Sequence, residues 1–240
     1  MTTLHDMKIS GEGISHAGLM LLGYQRTKQI SRKAKVSWEA GDRAVLDAEI
    51  KARGPSVFSG AMEEIFAEYL PLRTFLRTHE ITPKHVVDIG CGQALNDAFL
   101  SKDFGSSFTL IDIEDTPEKY HLWNASGSGY AALTDARKFL IANGADKNAV
   151  KTINPRKAPQ LMAGVAGDMV TSLFSCGFHY PIGEYVDLMC NTVAQGGCVV
   201  LDLRLRYLGA PDAALQRLLD SGKQHVILEM AKSKRIVFRA

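Results

Sequence analysis

Long apolar runs and an excess of charge of one sign are both missing from this 240-residue sequence. No apolar run approaches the roughly 20 residues that a membrane-spanning helix requires. The formal net charge is only +2, so the chain as a whole offers little electrostatic attraction to nucleic acid or to an anionic membrane. We therefore expect no membrane association and no nucleic-acid partner.

Cysteine is scarce, and its spacing does not indicate a metal site. The four cysteines form no CxxC pair and no Cys/His set with the spacing of zinc ligands. The opening residues, MTTLHDMKISGEG, lack the basic region followed by an apolar stretch that marks a secretory signal. These absences predict a cytoplasmic protein with free cysteines and no bound metal.

A local basic run is present between residues 26 and 35. Its members are Arg26, Lys28, Arg32, Lys33 and Lys35. Such a run is most often the solvated face of a helix. The alternative is a docking surface for RNA or protein, which salt-dependent binding would reveal.

The first 57 residues have a helical but irregular pattern, with glycine and proline at positions 52–60 marking a break. A clearer helix follows, in which Met62, Ile65, Phe66, Tyr69 and Leu70 share one face by their spacing. Pro71 is expected to interrupt this helix or to start a new one that continues to about residue 79.

From residue 84 onward, strand and helix patterns alternate. Strands are predicted at 85–90, 107–113, 149–154, 168–175 and 198–204, and helices at 94–100, 129–144, 181–197 and 211–222. Two further strands, HVILEM and RIVFRA, are joined by four residues and are typical of an antiparallel hairpin. Alternating strands and helices indicate a parallel sheet covered on both faces.

The stretch VVDIGCGQALNDAF, residues 86–99, joins the first strand to the first helix of this region. Gly90 and Gly92 permit a tight turn and a close approach of a ligand to the backbone. A dinucleotide site would place a third glycine where Leu95 stands. Asp88 would repel a pyrophosphate, but it suits a cationic ligand with an amino group, such as S-adenosylmethionine.

This stretch resembles the first motif of the class I S-adenosylmethionine-dependent methyltransferases, an acid followed by Gly-x-Gly-x-Gly. Ala94 replaces the third glycine. The resemblance covers roughly residues 60–240, including the terminal hairpin. It implies an α/β fold: a doubly wound, mostly parallel seven-stranded sheet with a C-terminal antiparallel hairpin. We expect an N-terminal helical cap at 1–57 and a Rossmann-like domain at 58–240.

Asp112 ends the second strand, 20 residues beyond Gly92, where a carboxylate can accept hydrogen bonds from both ribose hydroxyls. The resemblance makes Ile113 an adenine contact and Asn154 a candidate for the adenine amino group, although Asn-Pro is also an ordinary turn signal. The predicted cofactor-binding residues are Asp88, Ile89, Gly90, Cys91, Gly92, Asp112, Ile113, Asn154, Ser172 and Leu173.

His179 follows the fourth strand, where the resemblance implies the methionine end of the cofactor and the substrate pocket. An imidazole is suited to removing a proton from a hydroxyl at neutral pH. Tyr180 is a second catalytic candidate, and His121 is a third in the insertion after the second strand. The alternative is that His179 caps the following helix or stacks in the wall without titrating.

Together these features predict a methyltransferase that moves a methyl group from S-adenosylmethionine to a small molecule, with oxygen as the favoured acceptor atom, by in-line displacement. S-adenosylhomocysteine would be the product. The alternatives are an RNA or protein methyltransferase that uses the basic run, and a non-catalytic protein that only binds the cofactor. The N-terminal helices could also support a homodimer.

Overall fold

The computed structural model describes residues 3–114 and 131–240. The helices are α1 (Leu4–Met7), α2 (His16–Gln25), α3 (Arg32–Glu39), α4 (Ala44–Thr78), α5 (Leu95–Phe104), α6 (Leu133–Ala142), α7 (Val186–Ala194), α8 (Leu205–Gly209) and α9 (Ala213–Asp220). Short 3-10 helices lie at Thr27–Gln29, Pro159–Gly164 and Gly183–Tyr185. The strands are β1 (His85–Ile89), β2 (Ser107–Ile111), β3 (Val150–Ile153), β4 (Met169–Ser172), β5 (Cys198–Arg204), β6 (Lys223–Met230) and β7 (Ser233–Arg239).

The strands form one seven-stranded sheet in the order β3-β2-β1-β4-β5-β7-β6. Strands β1 to β5 pair in parallel, whereas β7 is antiparallel to both β5 and β6. This confirms the predicted doubly wound sheet with its terminal hairpin. The strand order reverses between β1 and β4, and a crevice therefore opens at their carboxyl ends. Within the described ranges, no helix has the length and apolar character needed to cross a membrane.

Several predicted strand limits differ from the structure, and two of these differences have a clear local cause. Strand β4 ends at Ser172 instead of continuing to residue 175, because Phe174 adopts a left-handed conformation with φ of 53°. The hairpin turn consists of Ala231 and Lys232 alone, not of four residues, because Ser233 and Lys234 already pair with β6.

Helix α4 runs through both of its prolines. Residue Arg53 has non-helical angles (φ −144°, ψ 25°) just before Pro55, where the proline ring conflicts with the preceding turn. The helix thus kinks at Arg53 without ending, and it continues through Pro71 to Thr78. The irregularity expected at 52–60 corresponds to this kink at Arg53, whereas the interruption expected at Pro71 was wrong. The predicted boundary between residues 57 and 58 lies inside this helix.

The buried face of α4 follows the predicted spacing for Met62, Ile65, Phe66 and Tyr69. Leu70 does not belong to this face, since it is 37% exposed. The buried face packs with the core-facing residues of α5, among them Ala98 and Phe99. The helix thereby joins the N-terminal segment to one side of the sheet.

A buried ion pair links the hairpin to the parallel part of the sheet. Arg235 on β7 is 1% exposed and lies directly opposite Asp202 on β5. Its Nε atom donates a hydrogen bond of 2.8 Å to Oδ1 of Asp202, and its Nη2 atom donates one of 2.8 Å to Oδ2. Its Nη1 atom donates to the backbone carbonyl of Glu68 on α4 at 2.6 Å. One guanidinium therefore holds β5, β7 and α4 together.

We expect Arg235→Met to lower the free energy of unfolding by about 3–5 kcal/mol, because the substitution leaves the buried Asp202 carboxylate unpaired. Urea denaturation followed by circular dichroism measures this change. The matched control is Arg217→Met, which removes an exposed pair with Asp187 and should have little effect. An equal decrease in the free energy of unfolding of the two variants would contradict the role given to Arg235.

Candidate functional site

The site is built on the turn between β1 and α5, at the point where the strand order reverses. Gly90 and Gly92 have φ angles of +72° and +55°, which L-residues rarely adopt. The amide of Gly90 donates to the carbonyl of Ile111 at 2.7 Å, so the turn remains tied to β2. Asp88, near the end of β1, is 7% exposed and faces the crevice.

A cavity of about 670 Å³ opens over this turn, a volume within the usual range for small-molecule sites. Five parts of the chain enclose it: the β1–α5 turn, the segment after β4, the N-terminal segment, α4 and β7. The described lining includes Asp88, Gly90, Cys91, Gly92 and Gln93 from the turn, Leu173, Phe174, Phe178 and His179 after β4, Leu21, Leu22, Tyr24, Arg26, Lys35 and Glu39 from the N-terminal segment, Ile65 and Glu68 from α4, and Arg235 from β7.

Most charged side chains that line the cavity already have a partner of opposite charge. Arg26 binds both carboxylate oxygens of Glu68 at 2.5 and 2.9 Å. Arg235 is paired with Asp202, and Lys35 lies 3.9 Å from Glu39. Asp88, by contrast, is in no ion pair with any described residue, and it accepts one hydrogen bond of 2.8 Å from the hydroxyl of Thr171. The cavity thus contains a carboxylate that a cationic ligand could neutralise.

A second, smaller cavity lies on the other side of Gly90. Its lining includes Asp112, Ile113, Arg156, Tyr180 and Tyr185, and its volume is about 30 Å³, that of a single water molecule. The Asp112 carboxylate accepts from the amides of Gly92 and Ile113, both at 2.7 Å. Burial raises the pKa of Asp112 to about 7, although the two amide donors oppose this change.

Ser175 and Tyr180 cover Gly90 between the two cavities. Their hydroxyls are 3.1 Å apart. A Cβ atom at Gly90 would lie 1.8 Å from the Ser175 hydroxyl oxygen and 2.4 Å from its Cβ, so only glycine fits there. At Gly92, by contrast, no atom of the described residues lies within 4 Å of the Cβ position, and the backbone of the turn is open to a ligand.

The remaining predicted cofactor residues take different places. Leu173 and Cys91 line the larger cavity, whereas Ile89 is fully buried in the core. Ser172 is also fully buried: its hydroxyl donates to the carbonyl of Ile89 at 2.7 Å and accepts from the amide of Cys176 at 2.9 Å. It therefore fixes the segment after β4 against β1 and lines neither cavity.

Asn154 organises the turn after β3. Its side-chain oxygen accepts from the amides of Arg156 and Lys157, and its Nδ2 atom donates to Glu114 at 3.3 Å. These contacts correspond to the turn signal in the sequence, and the contact with adenine stays a prediction. Among the described residues, no three His, Cys, Asp or Glu side chains are grouped so that they could hold a metal ion.

The two catalytic candidates after β4 point to different cavities. His179 lines the larger cavity, with its ring 4.9 Å from that of Phe178 in an edge-on arrangement. Tyr180 lines the smaller cavity, and burial raises the pKa of its hydroxyl far above the usual value. A phenol in this state keeps its proton, so it cannot accept one at neutral pH. His121 lies outside the described residues.

Two buried polar residues of the site were not predicted from the sequence. Gln93 is 4% exposed and donates through Nε2 to the carbonyl of Gly18 on α2 at 2.6 Å, which ties the N-terminal segment to the turn. Asp97 is fully buried in the first turn of α5. An acid in a first helical turn is ordinarily a solvated partner of the helix dipole, so only its position between Leu95 and Ala98 on the inward face could have indicated burial.

We expect Gly90→Ala to destabilise the protein more than Gly92→Ala, because both have an unfavourable φ but only Gly90 also meets Ser175. The φ strain alone is about 1–2 kcal/mol at each position. Thermal unfolding of the two variants measures the difference. The double variant Gly90→Ala/Ser175→Gly should recover most of the stability that Gly90→Ala loses beyond the loss in Gly92→Ala. Equal destabilisation of the two single variants would show that the contact with Ser175 does not constrain position 90.

Comparison with known proteins places the chain among solved structures, but not within a family defined by sequence. No protein-family profile and no curated protein matches the sequence. An O-methyltransferase family protein from Burkholderia thailandensis superposes with a TM-score of 0.50 and 11% identity, over 99% of this chain and 76% of that one. A mutant form of MtNAS gives a TM-score of 0.50 and 14% identity, over 93% of this chain and 71% of that one.

A protein from Nostoc punctiforme PCC 73102, provisionally described as an O-methyltransferase, gives a TM-score of 0.47 and 17% identity, over 78% of this chain. This chain spans only 61% of the length of that protein. Identities this low bear on the fold alone. The strand order and the Burkholderia superposition confirm the resemblance at that level: the chain has the fold of the class I S-adenosylmethionine-dependent methyltransferases.

Proposed function

We propose that this protein is an S-adenosylmethionine-dependent methyltransferase that acts on a small-molecule acceptor, at an oxygen atom. The observation that carries the proposal is the larger cavity, where the Asp88 carboxylate, the open Gly92 backbone and the His179 imidazole line one space of about 670 Å³. A carboxylate, a close backbone approach and a base are the groups that such a transfer requires from the protein.

The charges of the cavity favour a cationic cofactor. Since Arg26, Arg235 and Lys35 each have a carboxylate partner, Asp88 is left to attract a positively charged group. The α-ammonium of S-adenosylmethionine supplies one, and a pyrophosphate would be repelled. This is the physical support for an S-adenosyl ligand over a dinucleotide.

Asp112 and Ile113 would hold the nucleoside end. The Asp112 carboxylate has acceptor capacity beyond its two amide donors, and ribose hydroxyls can use it. The space beside it, about 30 Å³, is too small for a nucleoside. Binding therefore requires the lining side chains, such as Tyr180 and Tyr185, to move outward.

S-adenosylmethionine, when bound, supplies an electrophilic methyl group on a sulfonium. The protein aligns the acceptor and excludes water. His179 takes the hydroxyl proton of the acceptor onto its imidazole as the new O–CH3 bond forms. Because Tyr180 keeps its own proton, His179 is the base that we assign.

The N-terminal segment would shape the acceptor end of the cavity. Leu21, Leu22 and Tyr24 face it from α2, and Phe174 and Phe178 face it from the segment after β4. These walls suit a compact molecule with an apolar or aromatic body and a hydroxyl group. Two members of the basic run, Arg26 and Lys35, are already paired within this wall, which favours a small acceptor over RNA.

Titration calorimetry with S-adenosylhomocysteine should give binding in the micromolar range, and NADH should give none. The variant Asp112→Ala should weaken binding at least about tenfold, because the ribose loses an acceptor. Asp112→Asn, which keeps one acceptor oxygen, should retain part of the affinity, and the remote Asp187→Ala should match the wild type. Binding of NADH, or of neither ligand, would reject the proposed cofactor.

Methyl transfer to a panel of hydroxylated aromatic and aliphatic compounds, detected by mass spectrometry, tests the assignment of the base. With an acceptor found in this panel, we expect His179→Ala to lower kcat by about 10²–10⁴-fold while S-adenosylhomocysteine still binds. Tyr180→Phe should retain far more of the activity. The reverse order of the two variants would transfer the role of base to Tyr180.

A further inference from the structure

Asp97 is a fully buried carboxyl group that receives no hydrogen bond from a described donor. It is the third residue of α5, its residue exposure is 0%, and neither of its side-chain oxygens meets a donor. A buried carboxylate without a donor costs several kcal/mol. The Asp97 carboxyl group must therefore be protonated, or it must share a proton with a neighbouring group.

The polar group in contact with Asp97 is a second carboxyl, that of Asp88. Burial raises the pKa of both groups. The contact between them then lowers the pKa of Asp88 and raises that of Asp97, so Asp97 is the one that keeps a proton. Two carboxyls this close cannot both be charged away from water. Unlike Asp97, Asp88 accepts a hydrogen bond of 2.8 Å from the hydroxyl of Thr171.

We propose that Asp97 is a positioning residue for the cofactor site: it carries a proton, donates it in a hydrogen bond to Asp88, and so keeps Asp88 charged and correctly turned toward the cavity. This inference rests on the proposed function, because it concerns the carboxylate that would receive the ammonium group of the cofactor. Asp97 itself does not line the cavity and touches no ligand.

The surroundings favour a single negative charge on the pair. Thr171 donates to Asp88 from β4 and favours the charge there. The N-terminus of α5 favours a charged Asp97, but burial and the nearby Asp88 outweigh this effect. In the adjoining turn, burial raises the pKa of both the Cys91 thiol and Asp112, and the nearby Asp88 raises both pKa values further. Across the cavity, Arg26 and Arg235 are held by Glu68 and Asp202. The other titratable side chains of the described lining there are Tyr24, Lys35, Glu39 and His179.

Two substitutions at position 97 separate the donor function from simple packing. Asp97→Asn keeps a donor toward Asp88, and it should bind S-adenosylhomocysteine nearly as well as the wild type at pH 7. Asp97→Leu keeps the branched shape of the side chain but removes the donor, and it should weaken binding at least about tenfold. Circular dichroism confirms that each variant is folded.

The pH dependence of binding gives a second readout. Loss of the Asp97 proton would place two charges side by side, so wild-type affinity should fall as the pH rises through the raised pKa of Asp97. Asp97→Asn has no such proton, and its affinity should fall less. Titration of the ligand itself is common to both proteins and cancels in the comparison.

Infrared spectroscopy tests the proton without any ligand. At pH 8, above the pKa of about 7 of Asp112, the wild type should show the carbonyl band of a protonated carboxylic acid. The band should be absent in Asp97→Asn and present in Asp112→Asn. Its absence from the wild type, or its survival in Asp97→Asn, would overturn the proposal.

The two proposals fail in distinguishable ways. Wild-type protein that binds no S-adenosylhomocysteine rejects the proposed function, and the infrared band still decides whether Asp97 holds the proton. Wild-type protein that binds, together with Asp97→Leu of equal affinity, rejects the positioning role alone.

Discussion

The architecture depends on a line of alternating charges that crosses the molecule beside the cavity. Asp202 on β5 holds Arg235 on β7, Arg235 reaches the carbonyl of Glu68 on α4, and the Glu68 side chain holds Arg26 after α2. Each member neutralises or orients the next, so four separate parts of the chain meet without an unpaired buried cation. Because this line also forms one wall of the cavity, the interactions that stabilise the fold determine the electrostatic field that a ligand meets.

This arrangement of charges explains the importance of Asp88 in the proposed function. The cations of the wall are committed to carboxylate partners, so an incoming positive group finds no competitor for Asp88. The glycine turn then brings the backbone within reach of the same ligand, and Asp112 holds this turn through the amide of Gly92. Under the proposed function, Asp112 shapes the turn and Asp88 attracts the cofactor.

The features that follow from local sequence were predictable, and those that depend on distant partners were not. Asp88, Gly90 and Gly92 form a contiguous pattern whose backbone requirements can be read directly, and the alternation of strands and helices defines the parallel sheet. Arg235 and Asp202 are separated by 33 residues, and only strand register places them opposite each other. Asp97 has the sequence signature of a solvated helix acid, but it is fully buried beside the carboxyl of Asp88. Leu70 fitted the helical period but lies at the rim of the packed face, where periodicity does not distinguish burial from exposure.

Helix α4 begins in the N-terminal segment and ends against the sheet, with only a kink at Arg53 between the two. Its N-terminal half packs with α2 and α3, whereas its C-terminal half belongs to the main core. An exchange of the N-terminal segment between related proteins would therefore cut through a continuous helix and expose part of the core.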